Sequence, residues 1–428
     1  MTMLQSTDEL ICDTAAFYPV APKDFDDANI NEVLIEDLMY KALLMHGVLS
    51  GREIAELICF PYQLINPLLM DLKSRQFVAH RTTATMGDFF YSLTDAGKQN
   101  AKDAKENSNY CGPAPVNFDD YVKSVALQSI RNESPTPDDV KAAFNDLVVE
   151  DEVLETVGPA IISGRGLFLF GEPGNGKTSI AERICRTFGD EIYIPKAIWA
   201  EGDIIQLYDP QTHEAVPMDH DNHFDERWVK IKRPTVMVGG ELTMDALEIK
   251  YNETTKVSEA PLQMKANGGI FLIDDFGRQR VATDELLNRW IVPLEKQYDF
   301  LVLANGKKIQ TPFDQLIIFS TNLNPADLVD DAFLRRIPYK IHVDIPDEPQ
   351  FHNLFRFQAD RMNMPYDQAM VQYLIDTYYT GQRDFRCCHP RDLLSQIINT
   401  AKYKGYAPTM TKEGFDKACQ IYFSAMGI

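Results

Sequence analysis

Gly171-Glu172-Pro173-Gly174-Asn175-Gly176-Lys177-Thr178 is the stretch whose reading decides the fold. The apolar run LFLF (167–170) precedes it, and TSIAERICRTF follows with apolar residues at helical spacing. Strand, glycine-rich turn and helix in that order complete the pattern G-x-x-x-x-G-K-[ST]. The layout has a chemical purpose. Glycines let successive backbone N–H groups curl around phosphate oxygens, and the helix N-terminus adds partial positive charge. Residues 171–176 and Ser179 are therefore expected to cradle the phosphates of a nucleotide. Lys177 is expected to reach the β- and γ-phosphates, and Thr178 to offer its hydroxyl to Mg²⁺.

Downstream, Gly269-Ile270-Phe271-Leu272-Ile273-Asp274-Asp275 is an apolar strand ending in two carboxylates. In a parallel sheet that places both at the strand ends beside the phosphates. Asp274 is expected to hold Mg²⁺ and Asp275 to face an attacking water; the plainer alternative is a solvated turn. Asn322 follows the run LIIFST (316–321). A neutral amide there orients water without adding charge, unless it only caps the turn before Asn324-Pro325. Arg335 and Arg336 sit on a short helix before the strand-like YKIHV, and Arg391 lies in HPRDLLSQI. Each can be a solvated surface cation. The chemical alternative is contact with a phosphoryl group, where arginines in trans are worth about 10³ to 10⁵ in rate.

GEPGNGKT, IFLIDD, FSTN, the arginine pair and a late arginine on a helical tail resemble, in that order, the AAA+ ATPases. The resemblance covers about residues 119–428, and within the family it looks like the bacterial dynein-related or MoxR-like members. It implies ATP with Mg²⁺, a RecA-like α/β core, a helical lid and a homo-oligomeric ring, commonly a hexamer, with active sites between subunits. By this resemblance Asp275 is the general base, Asn322 is sensor 1, Arg335 or Arg336 the finger, and Arg391 sensor 2. The fold expected is α/β, a P-loop NTPase parallel sheet with a helical lid, preceded by a small winged-helix-like α+β domain. The boundaries expected are an N-terminal extension over 1–27, the winged-helix-like domain over 28–100, a polar linker over 101–118, the core over 119–346 and the lid over 347–428.

Two features depart from the family pattern. The second motif ends Asp-Asp where the family usually has Asp-Glu. Asp275 is one methylene shorter than Glu, and a displacement of about 1 Å at a reacting group can cost about 10²-fold. Slow turnover, or a nucleotide-switched scaffold, is therefore an alternative to a working ATPase. Second, Lys177 and Asp274 lie 97 positions apart, with the excess at about 200–265, where an inserted hairpin or loop near a ring face or pore is expected. That stretch also carries His213, Asp219, His220, Asp221, His223 and Asp225, either a divalent-metal cluster or, more ordinarily, a solvated acidic loop.

Composition narrows the partners. The chain has 428 residues and a formal net charge of -21, which repels phosphate backbones and anionic lipid on average. No apolar run reaches the length of a membrane span. The first residues carry neither a secretory nor a transit pattern. Seven scattered cysteines suit reduced thiols, so a cytoplasmic protein without membrane insertion is expected.

Residues 28–100 read as three helices followed by two strands, FVAH and FFYSLT, with Ser50 a cap and Pro67 a kink. The order is that of a winged helix, which often binds DNA. Residues 1–100, however, hold 14 acidic and 7 basic residues. A DNA reader usually has a basic footprint. A protein client or adaptor is thus the favoured partner of this domain. A DNA-associated motor is the rival, and a nucleotide kinase is disfavoured because no acceptor-binding segment is evident.

Overall fold

The computed structural model describes residues 17–149, 151–189, 191–218 and 223–424. Residues 1–16 of the expected N-terminal extension, and Asp219, His220 and Asp221 of the possible metal cluster, lie outside them.

The centre is a five-stranded sheet in the order Thr235–Val238, Ile270–Ile273, Leu316–Thr321, Leu167–Phe170, Tyr339–His342. Every neighbouring pair is parallel. The apolar runs are continuous because both faces are covered. Successive side chains in a strand point to opposite faces. Leu167, Leu169, Ile270, Leu272, Leu316 and Ile318 accordingly share one core with Ile180, Ala181 and Ile184 of the helix Lys177–Cys185. Phe168, Phe271, Ile273, Ile317 and Phe319 share the other with Leu286, Leu287 and Trp290 of the helix Thr283–Lys296. A charged residue on either face of these strands would lack a water-accessible exit. Parallel strands bring all their C-terminal ends to one edge, which is where the site forms.

A C-terminal helical region follows: Glu348–Arg361, Gln368–Tyr378, His389–Lys404 and Lys412–Phe423. Phe351, Phe355, Leu374, Leu394 and Phe415 are each fully buried in its own core. The sequence spacing of Phe415, Ala418 and Cys419 is used here as a packed face.

Toward the N-terminus, helices Glu32–His46, Gly51–Leu57 and Tyr62–Ser74 pack with a three-stranded antiparallel sheet. Its strands are Val48–Ser50, Phe89–Leu93 and Val78–Thr83. Ser50 caps its helix as anticipated, reciprocated by Glu53 in a capping box. Pro67 lies inside the third helix.

Two stretches differ in detail from the sequence reading. Within 101–118 the helix Asp95–Asn107 continues, and beyond it Tyr110, Ala114 and Val116 are buried. The Ala114 amide donates to the Ile58 carbonyl at 2.6 Å, so this segment is packed chain. Within 200–265 the described residues include a short antiparallel hairpin, Lys250–Asn252 with Val257–Glu259, but it is built into a larger sheet. Thr235–Val238 is the edge strand of the central sheet. Asp203–Gln206 and Val257–Glu259 join Lys250–Asn252, Ala197–Ala200 and Val116–Asn117 in a second five-stranded sheet. Ala197 and Ile204 of that sheet belong to the core of the N-terminal helices. A separate antiparallel hairpin, Tyr298–Val302 with Lys308–Pro312, precedes the Leu316 strand. Among the described residues no helix is long and apolar enough to cross a membrane.

Candidate nucleotide site

Glycine is required at two points of the 171–178 turn. Gly171 has φ of 140°, and a Cβ there would lie 2.4 Å from the Val343 carbonyl oxygen. Gly174 has φ of 86°, and a Cβ there would lie 2.7 Å from the Cys388 sulfur. The turn ends at Gly176, which is left-handed and caps the helix beginning at Lys177. Four uncapped N–H groups at that helix start are the physical basis of an anion cradle.

The three motif segments converge on this turn. Lys177 is buried, and its Nζ donates to the carbonyls of Gly171 at 2.9 Å and Glu172 at 3.0 Å, and to Asn322 Oδ1 at 2.7 Å. Burial pulls its pKa below the usual lysine value, and the charges of Asp274 and Asp275 oppose that pull. Thr178 Oγ1 donates to Asp274 Oδ2 at 2.9 Å. Asn322 Nδ2 donates to Asp275 Oδ1 at 3.3 Å, so Asn322 links the lysine to the second carboxylate. Asp275 has φ of 49°, a left-handed backbone that Asp tolerates better than most residues. Strain of this kind gathers at functional sites.

A cavity of about 660 Å³ opens over the turn. It is lined by Gly174–Ser179, Asp274, Asp275 and Asn322 of the motif segments. Leu147, Val149, Val153, Val343, Leu354 and Phe357 add apolar lining, interleaved with Asp151, Gln350, Asn353 and Gln358. The size and the mixed lining suit a nucleotide. Arg391 also lines it, with Nε donating to Asp392 Oδ1 at 2.8 Å.

Arg335 and Arg336 are not among the cavity's lining residues. Arg335 is exposed at the end of the helix Asp331–Leu334. Arg336 is half-buried, with Nε 2.8 Å from Glu295 Oε1. The site as predicted is thus brought together except for this pair. Sequence reasoning missed two parts: the apolar lining, and Arg386, whose Nη1 donates to the Pro173 carbonyl at 2.5 Å. The only sequence signal for the latter is an arginine five positions before Arg391.

A hard oxygen pair, hydroxyl and carboxylate, beside a phosphate cradle fits Mg²⁺ in chemistry. Two described members of the other metal candidate have protein partners. His213 is buried, with Nδ1 accepting from the Asp209 amide and Nε2 against the Lys265 carbonyl. Asp225 is buried in a forked pair with Arg227. Among the described residues no group of three or more metal-ligating side chains is present.

Residues 347–421 match a family described as a domain of unknown function, DUF8689. The sequence is similar to a probable spastin homolog of Brugia malayi, 22% identical over 297 residues, which are 64% of this chain and 53% of that protein. The chain therefore spans about half the length of that curated relative. Among solved structures, NtrX from Brucella abortus is similar at 13% identity and a TM-score of 0.40, over 74% of this chain and 60% of that one. A Thermotoga maritima RuvB mutant is similar at 14% identity and 0.37, over 69% and 72%.

Proposed function

We propose that this chain is an AAA+ ATPase that binds and hydrolyses ATP with Mg²⁺ in an oligomeric ring and uses the cycle to remodel or regulate a protein partner. The observation that carries the reading is the joining of three distant segments in one cavity: Thr178 to Asp274, and Lys177 through Asn322 to Asp275.

The residues divide the work. Backbone N–H groups of 174–178 hold phosphate oxygens. Lys177 leaves the Gly171 and Glu172 carbonyls and turns its ammonium to the phosphates. Thr178 and Asp274 would hold Mg²⁺, which when bound neutralises charge between the phosphate groups. Asp275 accepts a proton from the attacking water, and the Asn322 amide orients that water. Arg391 reaches the phosphates from the lid. The apolar lining takes the base and excludes water from it.

Arg335 is the better candidate for a finger acting on a neighbouring copy. It is exposed and outside its own chain's cavity, whereas Arg336 is held by Glu295. The N-terminal module, with its winged-helix order, is read as a docking unit for a protein client. Its third helix offers little to DNA, because Arg75 is paired with Glu36 and Asp71.

One observation favours a second reading, a nucleotide switch with little hydrolysis: the short Asp275 side chain already engages Asn322. Steady-state phosphate release, measured beside ATP affinity, tests both. Measurable turnover that disappears in Asp275→Asn while affinity remains supports the ATPase. Tight binding with no turnover supports the switch, and absence of binding removes both.

A further inference from the structure

Arg386 and Cys388 reach from the helical region to three consecutive residues of the phosphate turn. Arg386 Nη1 donates to the Pro173 carbonyl at 2.5 Å, and Nη2 lies 3.5 Å from Glu172 Oε2. The Cys388 amide donates to the Gly174 carbonyl at 2.9 Å, and its sulfur packs where Gly174 lacks a side chain. On the inner side, the carbonyls of Gly171 and Glu172 are taken by Lys177. The carbonyls of 171–174 are thus all satisfied by protein, two of them from the lid. A peptide unit whose carbonyl is held has its N–H direction fixed as well, because the group is planar. The N–H groups of this turn are the ones a phosphate needs.

We propose that Arg386 is a positioning residue of the nucleotide site, tying the lid to the turn so that lid position and the aim of the turn's N–H groups vary together. The role is distinct from that of Arg391, which lines the cavity itself. The Pro173 carbonyl is the main partner. Its peptide unit carries the Gly174 N–H, so holding this carbonyl sets the direction of that N–H. The Glu172 contact is longer and half its side chain is in water, so it adds little. The tie is made by protein groups alone. Losing it is expected to weaken ground-state binding and leave the chemical step alone.

This inference rests on the nucleotide-site reading, so the test has one arm that needs no nucleotide. Hydrogen exchange of the full chain without ligand is compared for wild type, Arg386→Ala and Arg386→Lys. In Arg386→Ala the Cys388 amide, which donates to the Gly174 carbonyl, is expected to exchange about 5- to 10-fold faster, with the amides of 270–273 unchanged, and Arg386→Lys is expected to fall between, since local opening sets exchange. In the second arm, the KM for ATP is expected to rise about 10-fold in Arg386→Ala with kcat within about twofold, the signature of lost ground-state binding. Unchanged exchange at Cys388, equal acceleration across the core, or a loss of kcat at constant KM overturns the proposal. If wild type binds no ATP, the functional reading fails, and the exchange arm still decides the tie.

Discussion

The two halves of the candidate site are built differently. The proposed phosphate half is assembled within one chain: Lys177 bonds the turn and Asn322, Asn322 bonds Asp275, and Thr178 bonds Asp274. The arginine half is not. Arg335 points into solvent and Arg336 is spent on Glu295, both off the cavity. Binding and catalysis would then depend on different things, the first on the fold of a single chain, the second on a neighbour. The difference teaches that a monomer of this protein should hold nucleotide well and turn it over poorly.

Lys177→Ala attacks the self-contained half and should have the largest effect. Turnover is expected to fall at least about 10³-fold and ATP affinity to drop with it, since the lysine serves both ground and transition states. Paired titration and phosphate-release measurements check this; retained affinity would break the comparison. Arg335→Ala attacks the other half. Turnover should fall about 10²- to 10³-fold while affinity stays within about threefold. Mixing this variant with Lys177→Ala protein should restore part of the activity, because one mixed interface then has an intact site and an intact arginine. Arg336→Ala should lower stability more than turnover, and the reverse ranking of the two arginines would reassign the finger.

Asp275→Glu sharpens the comparison from within the phosphate half. Extending the carboxylate by one methylene is expected to raise turnover about 10-fold with affinity unchanged. A decrease would mean that the surroundings are shaped for Asp. The smallest effect concerns the helical region that carries Arg386 and Arg391. His389 is buried, and burial first, then Arg386, pushes its pKa down to about 4 from 6.5. The unfolded chain takes up the proton as pH falls through about 6.5, and the folded chain resists until about 4. Stability is therefore undiminished by this group above 6.5 and declines between 6.5 and 4, by at most about 3–4 kcal/mol. Thermal melts of wild type against His389→Gln across that range should converge as pH falls.

What could be read from the sequence follows the same division. LFLF, IFLI and LIIFST announce buried parallel strands because both of their faces are apolar, and the glycine pattern at 171–178 leaves few alternatives. VMVGGEL (236–242) reads as a strand reaching a glycine turn, and Thr235–Val238 is one; its place as the edge of the central sheet was hidden, because four residues carry no periodicity that separates a core edge from an insertion. The packed course of 108–117 was hidden by its Gly, Pro and Asn content, which reads as a tether until Tyr110 and Ala114 find their partners. Arg386 meets Pro173 across 213 positions, and the apolar lining of the cavity joins residues 147–153 to 343–357, so both form only when the helical region packs on the sheet. Their residues follow no local pattern, so nothing short of the tertiary structure places them.

The most direct measurement is calorimetric titration of the full chain with ATP, with and without Mg²⁺. The account predicts one site per chain whose affinity rises when Mg²⁺ is added and is lost in Lys177→Ala. A folded wild-type sample with no Mg²⁺-dependent heat of binding would contradict it.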